Sequence, residues 1–311
     1  MVTRETRNRP GDPAVTAAAL AGIARRHGVA PADVRPAPRQ GVAAEVRLLG
    51  DDLVLKVARP GDTGFAADLR KEAVVIPHAA RLGVRTPEVV EFDGAGGELG
   101  APYLVLRRAP GVAPPDDEPG PLAYRELGEQ LAVLHAAPRT PLAGVPEDRA
   151  DDPRPGVEAL AARGHLGVGL AGWLLGWLDE LAAEAPAEPP LVLLHGDVSA
   201  GNLLVDPASG ALTALFDWGD AAYADPAVEF AKVPPRAVRS VLAGYAPDEG
   251  AAWWPRILRH HVSWAVGRLS GAPEPTATHW SAQPANRLLE LLRYFSTDGA
   301  ADGWSRSHRL P

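Results

Sequence analysis

Three side chains in one stretch of this sequence have the types and spacing to do chemistry. Asp197 sits in Leu194-His195-Gly196-Asp197-Val198-Ser199-Ala200-Gly201-Asn202, Asn202 closes that segment, and Asp217 follows in Phe216-Asp217-Trp218-Gly219. An ionised carboxylate can take a proton from a hydroxyl. A second carboxylate and an amide oxygen suit a hard cation such as Mg²⁺, which also binds phosphate oxygens. Two apolar runs, residues 202–206 and 211–216, flank a Pro-Ala-Ser-Gly turn. They predict a β-hairpin that presents both groups to one cleft.

Asp197 and Asn202 stand at the spacing of the kinase catalytic loop, and Asp217 takes the place of the Asp in the Asp-Phe-Gly element. With His-Gly-Asp for His-Arg-Asp and Asp-Trp-Gly for Asp-Phe-Gly, the chain resembles the aminoglycoside phosphotransferase and choline-kinase-like group of small-molecule kinases. The resemblance continues through residues 223–231, similar to the family's Asp-Pro-x-x-Asp-Leu-Ala, with Glu229 and Phe230 in place of the last Asp and Leu. It implies an α+β, bilobal protein-kinase-like fold with a small antiparallel-sheet N-lobe and a larger, mainly helical C-lobe. Residues 1–109 would be the nucleotide-binding lobe and hinge, and residues 110–311 the catalytic and substrate-binding lobe. Asp197 would orient the acceptor hydroxyl and take its proton, Asn202 and Asp217 would hold Mg²⁺, and ATP or GTP would donate the phosphate. His195 is expected to support the loop, with Asp220 secondary and Asp225 bracing it.

The surrounding elements must position these groups. Residues 14–27 have the spacing of an amphipathic helix, with Gly28 as its stop. Residues 42–49 and 53–58 read as strands joined by Gly50-Asp51-Asp52, which puts Lys56 on the second strand. A helix over 66–82 and strands over 86–92 and 102–106 complete the order of a kinase amino-terminal lobe. Lys56 and Glu72 are then the expected phosphate-binding lysine and its orienting glutamate. Taken alone they read as a solvated lysine and one charge of a helix face. Lysine is scarce, however, with only Lys56, Lys71 and Lys232 in the chain.

Gln40 and Gly41 fall where a phosphate-covering loop would lie, in a segment with a single glycine that equally fits a plain turn. By resemblance, Leu106 is the gatekeeper, and the backbone of Arg107 and Ala109 would meet the purine edge. Such backbone recognition leaves ATP and GTP both open.

A chain of 311 residues, 46% hydrophobic, has ample material for a packed core. A net charge of −8 and the lack of basic runs exclude nucleic acid as the expected partner. No secretory signal is visible at the start, and the apolar stretch 166–178 falls short of the roughly 20 residues a membrane span needs. A cytoplasmic protein is expected. Without cysteine, metal chemistry must use oxygen or histidine ligands.

Residues 122–135 read as a helix ending in a structural His135, and residues 139–172 as an irregular insert suited to a substrate-side lid or a helical excursion. The acidic cluster Glu147, Asp148, Asp151 and Asp152 could attract a cationic substrate, but it reads better as a solvated loop. Further on, Trp253, Trp254, Trp264 and Trp280 accompany His260, His261 and His279, with a helix over 253–269. Most of these Trp should be core. Carboxylates there are few (Asp248, Glu249, Glu274, Glu290), fewer than an aminoglycoside site needs. A planar or sugar-bearing acceptor suits the region better.

Two other readings compete. His195 and Asp197 with His260 and His261 could form a metal-hydrolase site, but Asn202 and the Asp-Trp-Gly turn then go unexplained. A nucleotide-binding module without catalysis is the other, opposed by the joint presence of Lys56, Asp197, Asn202 and Asp217. The expected function is Mg²⁺-dependent transfer of phosphate to a hydroxyl of a natural-product antibiotic of aminoglycoside, nucleoside, macrolide or peptide type. A metabolic kinase of choline, homoserine, a sugar or a fructosamine is the alternative.

Overall fold

In the computed structural model, residues 16–41, 43–59, 63–115, 118–149, 152–185, 190–246, 253–273 and 279–297 are described. Asp151, Asp248, Glu249 and Glu274 lie outside them, as do Val42 of the expected first strand and residues 14 and 15 of the expected first helix.

The smaller lobe is one antiparallel sheet of β1 (Val34–Pro36), β2 (Ala44–Leu49), β3 (Leu53–Ala58), β4 (Val89–Asp93) and β5 (Tyr103–Arg107), in the order β1-β2-β3-β5-β4. The period of two along a strand divides its core. Leu55, Val57, Tyr103 and Val105 pack with Leu20 and Ile23 of α1 (Ala17–Arg26) on one face. Leu104 and Leu106 point the other way, to Phe65, Leu69 and Ile76 of α2 (Thr63–Leu82) and on into the larger lobe. Lys56, between Leu55 and Val57, is therefore carried to the α2 side.

The larger lobe is mostly helical, and the expected α+β bilobal arrangement is present. Its centre is α3 (Pro121–His135) against α7 (Val238–Tyr245). The two helices approach so closely that a Cβ on Gly128 would lie 1.9 Å from the Val241 carbonyl oxygen, and one on Gly244 1.8 Å from that of Arg125. A second core forms where α4 (Arg154–Ala162) and α5 (Val168–Glu184) meet α8 (Trp253–Leu269) and α9 (Asn286–Thr297).

The segment 139–172 is less irregular than its composition implies. Its Pro and Gly sit largely where helices tolerate them: Pro155 lies in the first turn of α4, and Gly167 is the N-cap of α5. Val157 and Leu160 then bury one face of α4, and Ala171, Leu174, Leu178 and Leu181 one face of α5. Among the described residues, no helix is long and apolar enough to cross a membrane.

Candidate active site

The segment from His195 to Asp217 is built on two small antiparallel pairs. Strand β6 (Val192–Leu194) pairs with β9 (Ala222–Ala224), and β7 (Leu203–Val205) with β8 (Leu212–Leu215). The second pair is the hairpin expected from the sequence. Its turn is closed by Asp206, whose Oδ1 accepts from the N–H groups of Ala208 and Ser209. Gly196 turns the chain at φ 87°, and a Cβ there would stand 2.2 Å from the Asp220 carbonyl oxygen. Only glycine meets both demands.

The buried His195 holds the two turns together. Its Nε2 lies 3.1 Å from the Phe216 carbonyl oxygen, and the Asp197 N–H points to its Nδ1 at 3.2 Å. Both contacts are satisfied by the neutral ring with its proton on Nε2. Trp218, fully buried, packs at 4.4 Å between ring centroids against that imidazole. Asn202 donates from Nδ2 to the backbone oxygen of Asp197 (2.9 Å) and to its Oδ2 (2.8 Å). The amide nitrogen is thus spent inside the loop, and Asn202 Oδ1 is left as an oxygen donor.

Asp217 stands beside this loop in a left-handed conformation, φ 67° and ψ 68°. Lys56 reaches across from the small lobe. Its Nζ is 2.8 Å from Asp217 Oδ1 and 2.6 and 2.7 Å from the two oxygens of Glu72, which is itself buried on α2. Burial opposes the ammonium, but Glu72 and Asp217 outweigh it and raise its pKa above the usual lysine value. Burial likewise opposes the Asp217 carboxylate, and the Lys56 charge overcomes it, holding the pKa below the usual value. The structure brings Lys56, Glu72 and Asp217 into one group, with Asp197 and Asn202 as a second group beside it.

One contributor left no signal beyond its departure from the family pattern. Glu229, on the short α6 (Ala227–Phe230), is fully buried beneath the loop. Its Oε1 accepts from the His195 N–H, and its two oxygens stand 3.2 and 3.3 Å from the Gly196 N–H. Burial opposes its charge, yet the His135 imidazole, 3.9 Å away, and the loop N–H groups hold the carboxyl below its usual value. Glu229→Ala would strand these buried N–H groups. We expect it to cost about 3 kcal/mol of stability, with Glu229→Gln costing less because its amide oxygen still accepts. Denaturant midpoints for both variants test this; an unchanged midpoint for the alanine variant would contradict it.

The remaining residues expected at the site separate into two groups. Asp225 braces the segment as expected, bound by Arg256 and His260 and capping the Ala227 N–H at 2.8 Å; burial opposes its charge, and these partners hold it down to about 2. Burial pushes Asp220 up, against the pull of Lys232. Gln40 is turned onto its own loop, donating to the carbonyls of Ala37 and Val46 and accepting from the Val46 N–H. The Gly41 carbonyl accepts from Arg59. Leu106 is buried in β5, and the Arg107 N–H donates to the Glu88 carbonyl at 2.8 Å, so only the Arg107 carbonyl can meet a purine from that residue. Ala109 follows β5 in the link between the lobes.

The hydrolase grouping does not assemble. His260 is spent on Asp225, and neither ring nitrogen of His261 has a hydrogen-bond partner. Among the described residues no three His, Asp or Glu side chains gather as a metal site. Asp217 and Asn202 together offer oxygen donors of the kind a hard divalent cation takes. In the expected acidic loop, Glu147 pairs with Arg139 and Asp152 with Arg154.

Comparison with known proteins agrees with this geometry. The phosphotransferase enzyme family matches residues 33–260. An aminoglycoside 3′-phosphotransferase of Streptomyces fradiae is 29% identical over 227 residues, 70% of this chain and 81% of its own length. A viomycin phosphotransferase of Streptomyces vinaceus is 30% identical over 164 residues, 49% of this chain and 56% of its own. The solved GDP complex of aminoglycoside 2′-phosphotransferase-IIIa has the same fold, with a TM-score of 0.61 at 20% identity over 85% of this chain and 93% of that one. The matched span takes in the Lys56 to Asp217 bridge and the whole loop around Asp197, and on that ground the chain belongs to the phosphotransferase enzyme family and transfers phosphate to a hydroxyl acceptor.

Proposed function

We propose that the acceptor is a natural-product antibiotic and that its phosphorylation gives resistance or self-protection. The donor is ATP or GTP, used with Mg²⁺. The names of the antibiotic-modifying relatives support this reading, and the observation that carries the chemistry is the bridge from Lys56 to Asp217 beside the Asp197 and Asn202 pair. Residues 1–109 serve as the nucleotide-binding lobe and residues 110–311 as the catalytic lobe. The protein works in the cytoplasm, where nucleoside triphosphates are found.

Phosphoryl transfer asks the protein mainly for alignment and charge neutralisation. Lys56, oriented by Glu72, faces the α- and β-phosphates. Asp217 and the oxygen of Asn202 would hold Mg²⁺, and the ion would supply neutralisation of phosphate charge. Asp197 orients the acceptor hydroxyl and takes its proton as the new P–O bond forms. The backbone of Arg107 and Ala109, behind Leu106, receives the purine, and the loop of Gln40 and Gly41 covers the phosphates.

The test is a mass-spectrometric screen of the purified chain with Mg²⁺, ATP or GTP, and a panel of antibiotics and common metabolites. Addition of one phosphate to an antibiotic, with resistance conferred on a sensitive host, is the expected result. Turnover of choline, homoserine, a sugar or a fructosamine instead would make it a metabolic kinase.

A further inference from the structure

Two buried cations of the larger lobe make no direct ion pair with a carboxylate among the described residues. Lys232, just after α6, is 5% exposed and lies with Nζ 3.7 Å from the ring centroid of Trp264 on α8. Arg287, on α9, is 6% exposed; it donates from Nη1 to the Ala231 carbonyl at 2.9 Å, and its guanidinium stands 5.2 Å from the Trp264 centroid and 4.7 Å from that of Trp280. Neither makes an ion pair with a described residue. The other buried cations differ: Lys56 has Glu72 and Asp217, and Arg256 has Asp225. Three carboxylates of this region are already engaged, and Asp220, which attracts Lys232 through space, makes no direct ion pair with it. Asp225 is held by Arg256 and His260, Glu229 caps the catalytic loop, and Glu290 pairs with Arg236 and Arg293.

The electrostatics agree with this geometry. Burial depresses the Lys232 ammonium, Asp197 and Asp220 pull it back up, and the like charge of Arg287 pushes it down again. Arg287 is pushed down to about 10 by burial, with Asp197 opposing and Arg268 adding to the effect. Both cations therefore sense the charge of Asp197, where the acceptor hydroxyl must come. Contact with an indole face compensates only part of what burying a cation costs, and neither charge has a described carboxylate in direct contact with it.

We propose that Lys232 and Arg287, set on Trp264 and Trp280, form a subsite for a carboxylate carried by the hydroxyl acceptor. The inference rests on the phosphotransferase reading and narrows its acceptor to an alcohol that bears a negative charge. The guanidinium, with one Nη engaged by Ala231, keeps donors for a carboxylate, and the ammonium supplies a second point charge. A polycationic acceptor would meet like charge at the same place.

The test uses three matched benzyl alcohols that differ only in the para substituent: carboxylate, carboxamide and aminomethyl. Their binding to the full chain, saturated with Mg²⁺ and a non-hydrolysable ATP analogue, is measured by ligand-observed NMR. The carboxylate is expected to bind at least about tenfold tighter than the amide, the ammonium compound weakest, and the preference should vanish in Lys232→Met and in Arg287→Met. Lys232→Arg should keep it. Because burial of the Lys232 charge outweighs the attraction of Asp197 and Asp220, the thermal midpoint of Lys232→Met should rise, a direction opposite to that of lost packing.

Equal binding of acid and amide, preference for the ammonium compound, undetectable binding of the carboxylate, or a preference that survives both methionine variants would each overturn the subsite. So would phosphorylation of an aminoglycoside at the same kcat/KM with and without Lys232, an outcome that leaves the phosphotransferase reading standing. Loss of kcat alike for charged and neutral acceptors would assign Lys232 to the transferring phosphate and likewise overturn it. Failure of the unsubstituted chain to bind Mg²⁺-nucleotide would count against the phosphotransferase reading itself.

Discussion

Asp197→Asn is expected to lower the rate of phosphoryl transfer by about 10³-fold while leaving nucleotide affinity nearly unchanged. The substitution removes the ability to take a proton and little else. Asn202 donates to both the backbone oxygen and Oδ2 of Asp197, and an amide oxygen can still accept the second bond. The Asp197 N–H stays on His195, and Glu229 still holds the turn from below. The loop should therefore keep its shape. Lys56, Glu72 and Asp217 form a separate group, so the nucleotide end of the site is untouched. Single-turnover rates and nucleotide titration on the same protein separate the two effects. Near-normal turnover would remove Asp197 from the proton-accepting role.

Asp217→Asn should act at the other end of the reaction. It removes the carboxylate that faces both Lys56 and the cation expected at the phosphates. Apparent Mg²⁺ affinity in the presence of nucleotide should fall by about 100-fold, and transfer with it. The protein should still fold, because Lys56 keeps both oxygens of Glu72. The left-handed backbone at this position also favours the change, since asparagine tolerates it well. Nucleotide titrations at a series of Mg²⁺ concentrations give the answer, and an unaltered Mg²⁺ dependence would move the metal elsewhere.

Together the two variants divide the site as the geometry does: one group next to the acceptor hydroxyl, the other next to the phosphates. A chain that loses transfer in both, but nucleotide and metal binding only in the second, behaves as an aligned phosphotransferase. The buried cations Lys232 and Arg287 then decide which hydroxyl compounds reach Asp197. Their presence accords with the scarcity of acceptor-side carboxylates noted in the sequence.

Much of the site was legible before any coordinates because its hydrogen bonds close over short stretches of chain. His195, Asp197 and Asn202 bind one another's backbone within a few residues, and the hairpin of β7 and β8 follows from two apolar runs about an Asp-Pro-Ala-Ser-Gly turn. The β2–β3 hairpin, α2, α3 and α8 were also readable, since each carries its own periodicity and its own stops. The helices α4 and α5 were obscured because Pro and Gly at helix starts look like breakers until the apolar face they precede is seen packed.

The types of the candidate residues, their order and their local turns were determined by the sequence alone, because the hydrogen bonds that shape those turns close within a few residues. Which of them meet was decided only by tertiary structure. Lys56 lies 161 residues from Asp217, and the contact exists because strand alternation turns Lys56 toward α2 while the larger lobe brings its hairpin beneath the sheet. Glu229 reaches the His195 turn because α6 packs under it, and Lys232 and Arg287 become neighbours only when α8 and α9 close on the same indole. Burial makes these charges strong, and burial is a property of the whole fold that no short run of residues records.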